Sequence, residues 1–339
     1  MTHREDGSLP LRWKLILAVL PLGAALIALG IGRIFIAPGD VAAALASRFD
    51  PGTEVADLVK MTIWNLRMPR ILLAALVGAG LSVAGCAFQS LFANPLATPD
   101  TLGVASGASF GAALAILMGF KMIGIQAVSL LMGLAAVTLT HLAGSGKNRG
   151  MSSVVLSGIM MGSLFSALVS LVKFTADTES QLPSITYWLM GGLDKASYKT
   201  LSFGAPLILA GIFILWLIRW KMNLLPLTED EARSSGINIR ALRIVTVICA
   251  AAITSSAISM CGQVGWVGLL IPHMCRMKFG SNHLALIPSC VSIGAVFMIA
   301  VDTAARSMSA SEIPVSILTA VIGAPFFILL MRRSGGWQF

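Results

Sequence analysis

Three groups of residues have types that could do chemistry, and their spacing decides which of them can. His141 and His273 are candidate metal or haem ligands, but neither has a second ligand at metal-binding spacing. A hydrogen-bonded histidine at a helix end is the plainer reading of His273, which follows Pro272. Cys86, Cys249, Cys261, Cys275 and Cys290 form no CxxC pair and lie in or beside apolar segments. They read as small buried hydrophobes, not as a disulfide or metal framework. Gly144–Lys147 (GSGK) approaches a phosphate-binding loop, but His141 stands where that loop needs its first glycine, and Asn148 where it needs Ser or Thr. No HExxH, no G-x-S-x-G and no buried carboxylate pair is present. The chain is therefore expected to catalyse nothing and to bind no cofactor. If ATP drives it, another chain holds the ATP.

What remains is recognition. Arg67 and Arg70 stand in Asn65–Arg70 (NLRMPR), where a long apolar segment begins. Pro69 suits a first helical turn. Arginine does not, because that end of a helix is already positive. The pair suits a negatively charged partner, with anchoring to lipid headgroups as the alternative. Arg306 follows Asp302 at the end of another apolar segment and fits the same idea; a local i,i+4 pair is its alternative. Gln89 and Asn94-Pro95 close the segment that Met68 opens. Their amides can satisfy backbone groups freed where a helix ends, so capping is the plainer role. Gly103, Gly107 and Gly111 are four apart, a spacing that permits close helix packing. Leu227–Arg243 (LTEDEARSSGINIRALR) crowds Glu229, Asp230, Glu231, Arg233, Arg240 and Arg243 into 17 positions of a chain that is only 12% charged.

These residues need elements to hold them. With 56% hydrophobic residues and 33 glycines, the composition is that of a membrane protein. The net charge of +9 comes with no basic tail of the kind that binds nucleic acid. A span takes about 20 apolar residues. Candidate spans are 15–36, 68–92, two within 102–143 joined by a turn near Lys121, 151–172, 201–218, 244–261, a short or broken one at 265–274, 284–301 and 313–331. The run at 15–36 lacks a cleavage-site pattern and reads as a retained first span. The piece at 185–193 is too short to cross. Ten spans put both termini on one side. Most lysines and arginines fall on that side, so both termini and Leu227–Arg243 are expected to be cytoplasmic.

Together these stretches resemble one family. LRMPR (66–70), the run from Gly78 to Gly103 with Gln89 and NPLATPDTLG, YWLMGGL (187–193), EARSSG (231–236), VGLLIPHMCR (267–276) and the run 300–332 ending GAPFFILLMR are similar to the FecCD permeases. These are subunits of ATP-binding-cassette importers for iron–siderophore complexes, haem and cobalamin. The likeness covers roughly 12–332. It implies an all-α polytopic permease fold of the type II importer class, with ten transmembrane helices. Spans two to five and seven to ten would be related by a pseudo-two-fold. Residues 1–14 and 333–339 would be tails, and 15–332 the membrane domain with coupling helices at about 223–243.

The resemblance also implies partners and mechanism. A second permease, identical or homologous, would complete the pore in the cytoplasmic (inner) membrane. Two cytoplasmic ATPases would bind ATP and Mg, and an extracytoplasmic binding protein would deliver cargo. Arg67, Arg70 and Arg306 match arginines that meet acidic residues of the binding protein. Leu227, Glu231, Ala232, Arg233 and Gly236 match the segment that sits in the ATPase cleft, although many relatives have Leu-Gly where Ser235-Gly236 stands. Gln89, Asn94, Pro95, Gly103, Gly107, Pro272 and His273 carry motifs and are the translocation-path candidates. Iron–siderophore is the first expected cargo, with haem and cobalamin behind. The alternative is an ion-coupled secondary transporter, which would want ionisable groups inside the spans. Almost every charge here maps to a span end or loop.

Overall fold

Pro10 caps the first helix, α1 (Leu11–Gly30). It begins four residues earlier and ends six residues earlier than the hydropathy of 15–36 suggests. Arg12 and Lys14 are carried inside its first turns, where long basic side chains can reach toward water. The chain turns extended at Ile31. The structure is a computed structural model and describes residues 7–50, 52–144, 151–227, 231, 236–309 and 311–333.

The polar stretch after α1 forms two short helices, α2 (Pro38–Ala46) and α3 (Asp57–Met61). A single wide π-turn, Thr62–Arg67, then runs directly into α4 (Met68–Leu91). The wide turn has a local cause. Pro69 has no N–H to offer residue 65, and its ring would press on that carbonyl in an α-helix; an extra residue in the turn relieves both.

The remaining elements are α5 (Val104–Leu117), α6 (Met122–Gly144), α7 (Met151–Thr175), α8 (Gln181–Leu189), α9 (Tyr198–Leu217), α10 (Arg219–Met222), α11 (Ile239–Cys261), α12 (Val267–Phe279), α13 (His283–Ser307) and α14 (Val315–Arg333). Among the described residues there is no strand. All ten apolar segments expected from the sequence are helical, and among the described residues seven helices are long and apolar enough to cross a membrane. The expected break in 102–143 falls at residues 118–121, with Gly119 at φ 74 and Lys121 exposed on the turn.

Of the apolar segments, α5 and α12 are too short to cross alone. At 1.5 Å per residue, α5 and α12 (14 and 13 residues) reach about 20 Å, against roughly 30 Å of hydrocarbon. Each is preceded by backbone that is not α-helical, a 3-10 turn at Pro99–Leu102 closed by Gly103 and the stretch Gly262–Trp266. Such backbone survives at depth only when protein surrounds it. Pro99, Leu102, Gly103 and Val264 are buried in this way, while Asp100, Gln263 and Gly265 are exposed.

The packing has an internal symmetry. The quartets α4–α7 and α11–α14 can be exchanged. Then α5 against α6 becomes α12 against α13, α4 against α13 becomes α11 against α6, and α4 against α12 becomes α11 against α5; all six pairs are packed. The long helices α4 and α11, which pack on each other, are the centre. The spanning windows ending in α4 and α11 are 83% and 78% buried, against 17% for α1 and for α7. Glycine makes one of these exchanges possible. A Cβ at Gly78 of α4 would strike the carbonyl oxygen of Gly294 on α13, and one at Gly294 would strike the carbonyl of Gly78.

Entry to α11 is set by Asn238, whose Oδ1 accepts from the Ala241 N–H at 3.1 Å. Asn238→Ala is expected to cost about 1 kcal/mol, the usual loss of an N-cap. A thermal melt of the purified protein should move down by a few degrees, and an unmoved midpoint would reject the cap.

Candidate functional site

Polar side chains gather at two opposite ends of the bundle. The first end lies where α1 finishes, the second where it starts. About 30 Å separates them, the length of a 20-residue helix.

At the first end, the carbonyls of the last turn of α1 have no partner within the helix. Arg67 donates to Leu29 O and Ile34 O, and Arg306 donates to Ala28 O. Cations there also meet the negative end of the helix dipole. Arg70 faces the other way. Its Nε lies 2.8 Å and 3.0 Å from the two oxygens of Asp302, its Nη2 lies 2.8 Å from Asp302 Oδ1, and its Nη1 lies 2.7 Å from Glu312 Oε2. Arg306 Nε is 3.8 Å from Asp302, so the local i,i+4 pair exists but is the longer one. Gly32 admits the group: a Cβ there would sit 2.8 Å from Arg67 Nη2. The structure thus brings Arg67, Arg70 and Arg306 together, all buried and all engaged by their own chain. Arg70 and Arg306 share Asp302, Arg70 also holds Glu312, and Arg67 is held by backbone carbonyls.

At the second end, Pro272 decides the arrangement. Helix α12 runs through it, so His273 sits in mid-helix and not at a helix end as its sequence suggests. The ring of His273 stands edge-on to Phe327, 5.6 Å between centroids. Lacking an N–H, Pro272 leaves the carbonyl of Gly268, four residues back, without its helical donor. Gln89 of α4 supplies one: its Nε2 lies 3.3 Å from Gly268 O and 3.5 Å from Leu269 O. Its Oε1 accepts from Arg276 Nη2. Gln89 therefore does satisfy freed backbone, but on a helix 179 residues away and not on its own.

Past Gln89, α4 ends at Leu91, and Ala93 takes φ 46. Asn94 Oδ1 accepts from the Leu96 N–H at 2.9 Å, a side-chain turn that starts the loop. Gln89, Asn94 and Pro95 line a cavity of about 520 Å³ together with Asn223, Arg276 and His283. Gly103 and Gly107 lie elsewhere. Gly103 (φ 72) is the N-cap of α5 against Gly158 and Gly162 of α7. Gly107 and Gly111 pack on Met132 of α6. Their spacing marks packing, as the sequence suggests.

The polar segment starts beside the same cavity. Pro226 lines it, and Arg243 Nη2 lies 3.4 Å from Leu227 O, joining the two ends of the segment. Glu231 is exposed. Gly236 has φ 70, and a Cβ there would meet none of the described residues within 4 Å. Ala232 and Arg233 lie outside the described residues.

Sequence reasoning missed Asn223, Asn282 and His283, which are polar but unremarkable in their stretches. It also missed Glu312. Only Asp302 was within reach, as a carboxylate four residues from Arg306 in an otherwise apolar run.

A fold with two polar ends, and with no catalytic constellation among its described residues, can now be set against known proteins. The model of the FecCD transport family matches residues 17–333. The chain belongs to the FecCD transport family. A molybdate import system permease protein of Haemophilus influenzae, MolB, is 40% identical over 319 residues, 94% of each chain. The vitamin B12 import system permease protein BtuC of Escherichia coli O157:H7 is 34% identical over 338 residues, 98% of each. A solved structure described as an inward-facing ABC transporter of the metal-chelate type superposes with a TM-score of 0.86 at 37% identity, covering 95% of this chain and 99% of that one. This FecCD chain is therefore a multi-pass membrane protein and the permease subunit of an ABC importer, not an enzyme. The ion-coupled alternative falls with that assignment. The type II permease fold expected from the sequence is the one found.

Proposed function

We propose that this permease moves a metal-bearing cargo through the cytoplasmic membrane by alternating access. It pairs with a second permease, two cytoplasmic ATPases that hold ATP and Mg, and an extracytoplasmic binding protein. Both termini and Leu227–Arg243 face the cytoplasm. The observation that supports this most is the separation of the two polar ends. One end carries surplus positive charge, three guanidiniums against two carboxylates, which favours an acidic binding protein. Arg67, Arg70 and Arg306 act there as a buried source of field more than as free hooks. The opposite end carries the charged segment, anchored at Leu227–Arg243, which suits an ATPase cleft. Shifting that segment reorients the helices and opens the pore inward.

For cargo, a ferric chelate remains the first reading within this family. The 40% identity to a molybdate permease over 94% of both chains favours molybdate as the second. Proteoliposomes holding the permease, its ATPase and its binding protein should take up one of ferric siderophore, haem, cobalamin or molybdate only when ATP is hydrolysed. Uptake that proceeds on an ion gradient without the ATPase would overturn the reading.

A further inference from the structure

The end of α4 is tied to the base of the charged segment by a short chain of hydrogen bonds. Asn223 follows α10 and precedes Pro226 by three residues. Its Oδ1 lies 3.0 Å from the backbone N of His283 and 2.7 Å from the ring Nδ1. Its Nδ2 donates to Asn282 Oδ1 at 3.1 Å, which sets which end of the amide faces the histidine. Facing an acceptor, Nδ1 carries the ring proton, and Nε2 keeps a lone pair. Ser90 Oγ on α4 lies 2.6 Å from that Nε2 and donates to it.

Ser90 has a second acceptor. Its Oγ also lies 3.0 Å from Cys86 O, one turn back on its own helix. One hydroxyl hydrogen serves one acceptor at a time. When the bond to His283 breaks, the hydroxyl falls back on Cys86, and no buried donor is orphaned. The freed Nε2 borders the cavity of about 520 Å³ that Ser90 and His283 both line, where water can replace the serine. The link can therefore open and close at low cost, which makes it a two-state contact. The neighbouring tie, Gln89 to the carbonyls of α12, is not of this kind, because the carbonyl that Pro272 strands has no other donor in its helix.

We infer that Ser90, His283 and Asn223 form a releasable latch that passes movement of the charged segment to the end of α4 and to the Asn94-Pro95 loop. His283 is the positioning residue at its centre. The inference rests on the coupling role proposed for Leu227–Arg243.

The test uses the assembled transporter in proteoliposomes and reads cargo moved per ATP hydrolysed. Ser90→Ala, His283→Ala and Asn223→Ala should each lower that ratio by at least about fivefold, the low end of coupling effects, while hydrolysis continues. The double variant Ser90→Ala/His283→Ala should fall no further than either single, because both remove one link. His283→Gln, whose amide can bond to Ser90, should recover part of the loss. An unchanged ratio in Ser90→Ala, or additive losses in the double variant, overturns the latch. Ser90→Ala removes one hydroxyl and leaves the imidazole in place, so it decides the matter even if His283→Ala does not accumulate. Wild-type uptake that ignores the ATPase would instead overturn the coupling role itself.

Discussion

Asp302→Ala is expected to cost this permease about 3–5 kcal/mol, the usual loss when one partner of a buried ion pair is removed. Asp302 is 1% exposed and holds Arg70 through both of its oxygens. Without it, Arg70 keeps Glu312, whose side chain is 27% exposed, and Arg306 loses its i,i+4 carboxylate. Of the carboxylates paired with the cluster among the described residues, Glu312 alone would then remain, at the meeting of the start of α4, the end of α13 and the last turn of α1. The melting midpoint of detergent-purified protein should fall by many degrees, or folded protein should fail to accumulate. Asp302→Leu combined with Arg70→Met should recover much of the loss, since an apolar pair has no charge to desolvate. A midpoint unmoved in Asp302→Ala would show that the cluster does not hold these helices together.

The partners in that cluster explain where sequence reading stopped. Apolar spans are written locally, so ten helices were visible, including the short α5 and α12 and the turn at Lys121. Span ends were less visible, because Arg12 and Lys14 belong to α1 although their charges argue for a tail. Arg67, Arg70 and Arg306 stood out by their placement at span ends. What they bind did not. Asp302 and Glu312 lie 232 and 242 residues from Arg70, and Arg67 and Arg306 bind backbone carbonyls, which no side chain announces.

The second end repeats the lesson with a proline. Pro272 was visible as a helix breaker, and Gln89 as an amide near a helix end. Neither shows by itself that the carbonyl one frees is the one the other satisfies. Only the approach of α4 to α12 joins them, and that approach depends on Gly85, where a Cβ would strike the Gly268 carbonyl. His283 stayed hidden for a similar reason. Its three bonds run to Asn223 and Ser90, 60 and 193 residues away.

Gly236→Val is expected to abolish cargo uptake while leaving the helix bundle folded. Gly236 takes φ 70, a conformation that a β-branched residue adopts only under strain of about 1–3 kcal/mol. No described residue lies within 4 Å of where its Cβ would stand, so among the described residues the substitution strains the backbone without a clash. The cost falls on the shape of the Leu227–Arg243 segment, whose ends are joined by Arg243 and Leu227 O and whose far side meets Asn238, the cap of α11. A partner that reads this segment as a fixed shape would lose it. The bundle, whose core lies in α4, α11 and α13, would not. Gly236→Val should therefore insert in the membrane and melt within a few degrees of the wild type, yet lose ATP-driven uptake by more than about tenfold, well within the span of coupling energies. Gly236→Ala should fall between the two. Normal uptake by Gly236→Val would remove the segment from the coupling path. Loss of insertion would instead make Gly236 a folding residue.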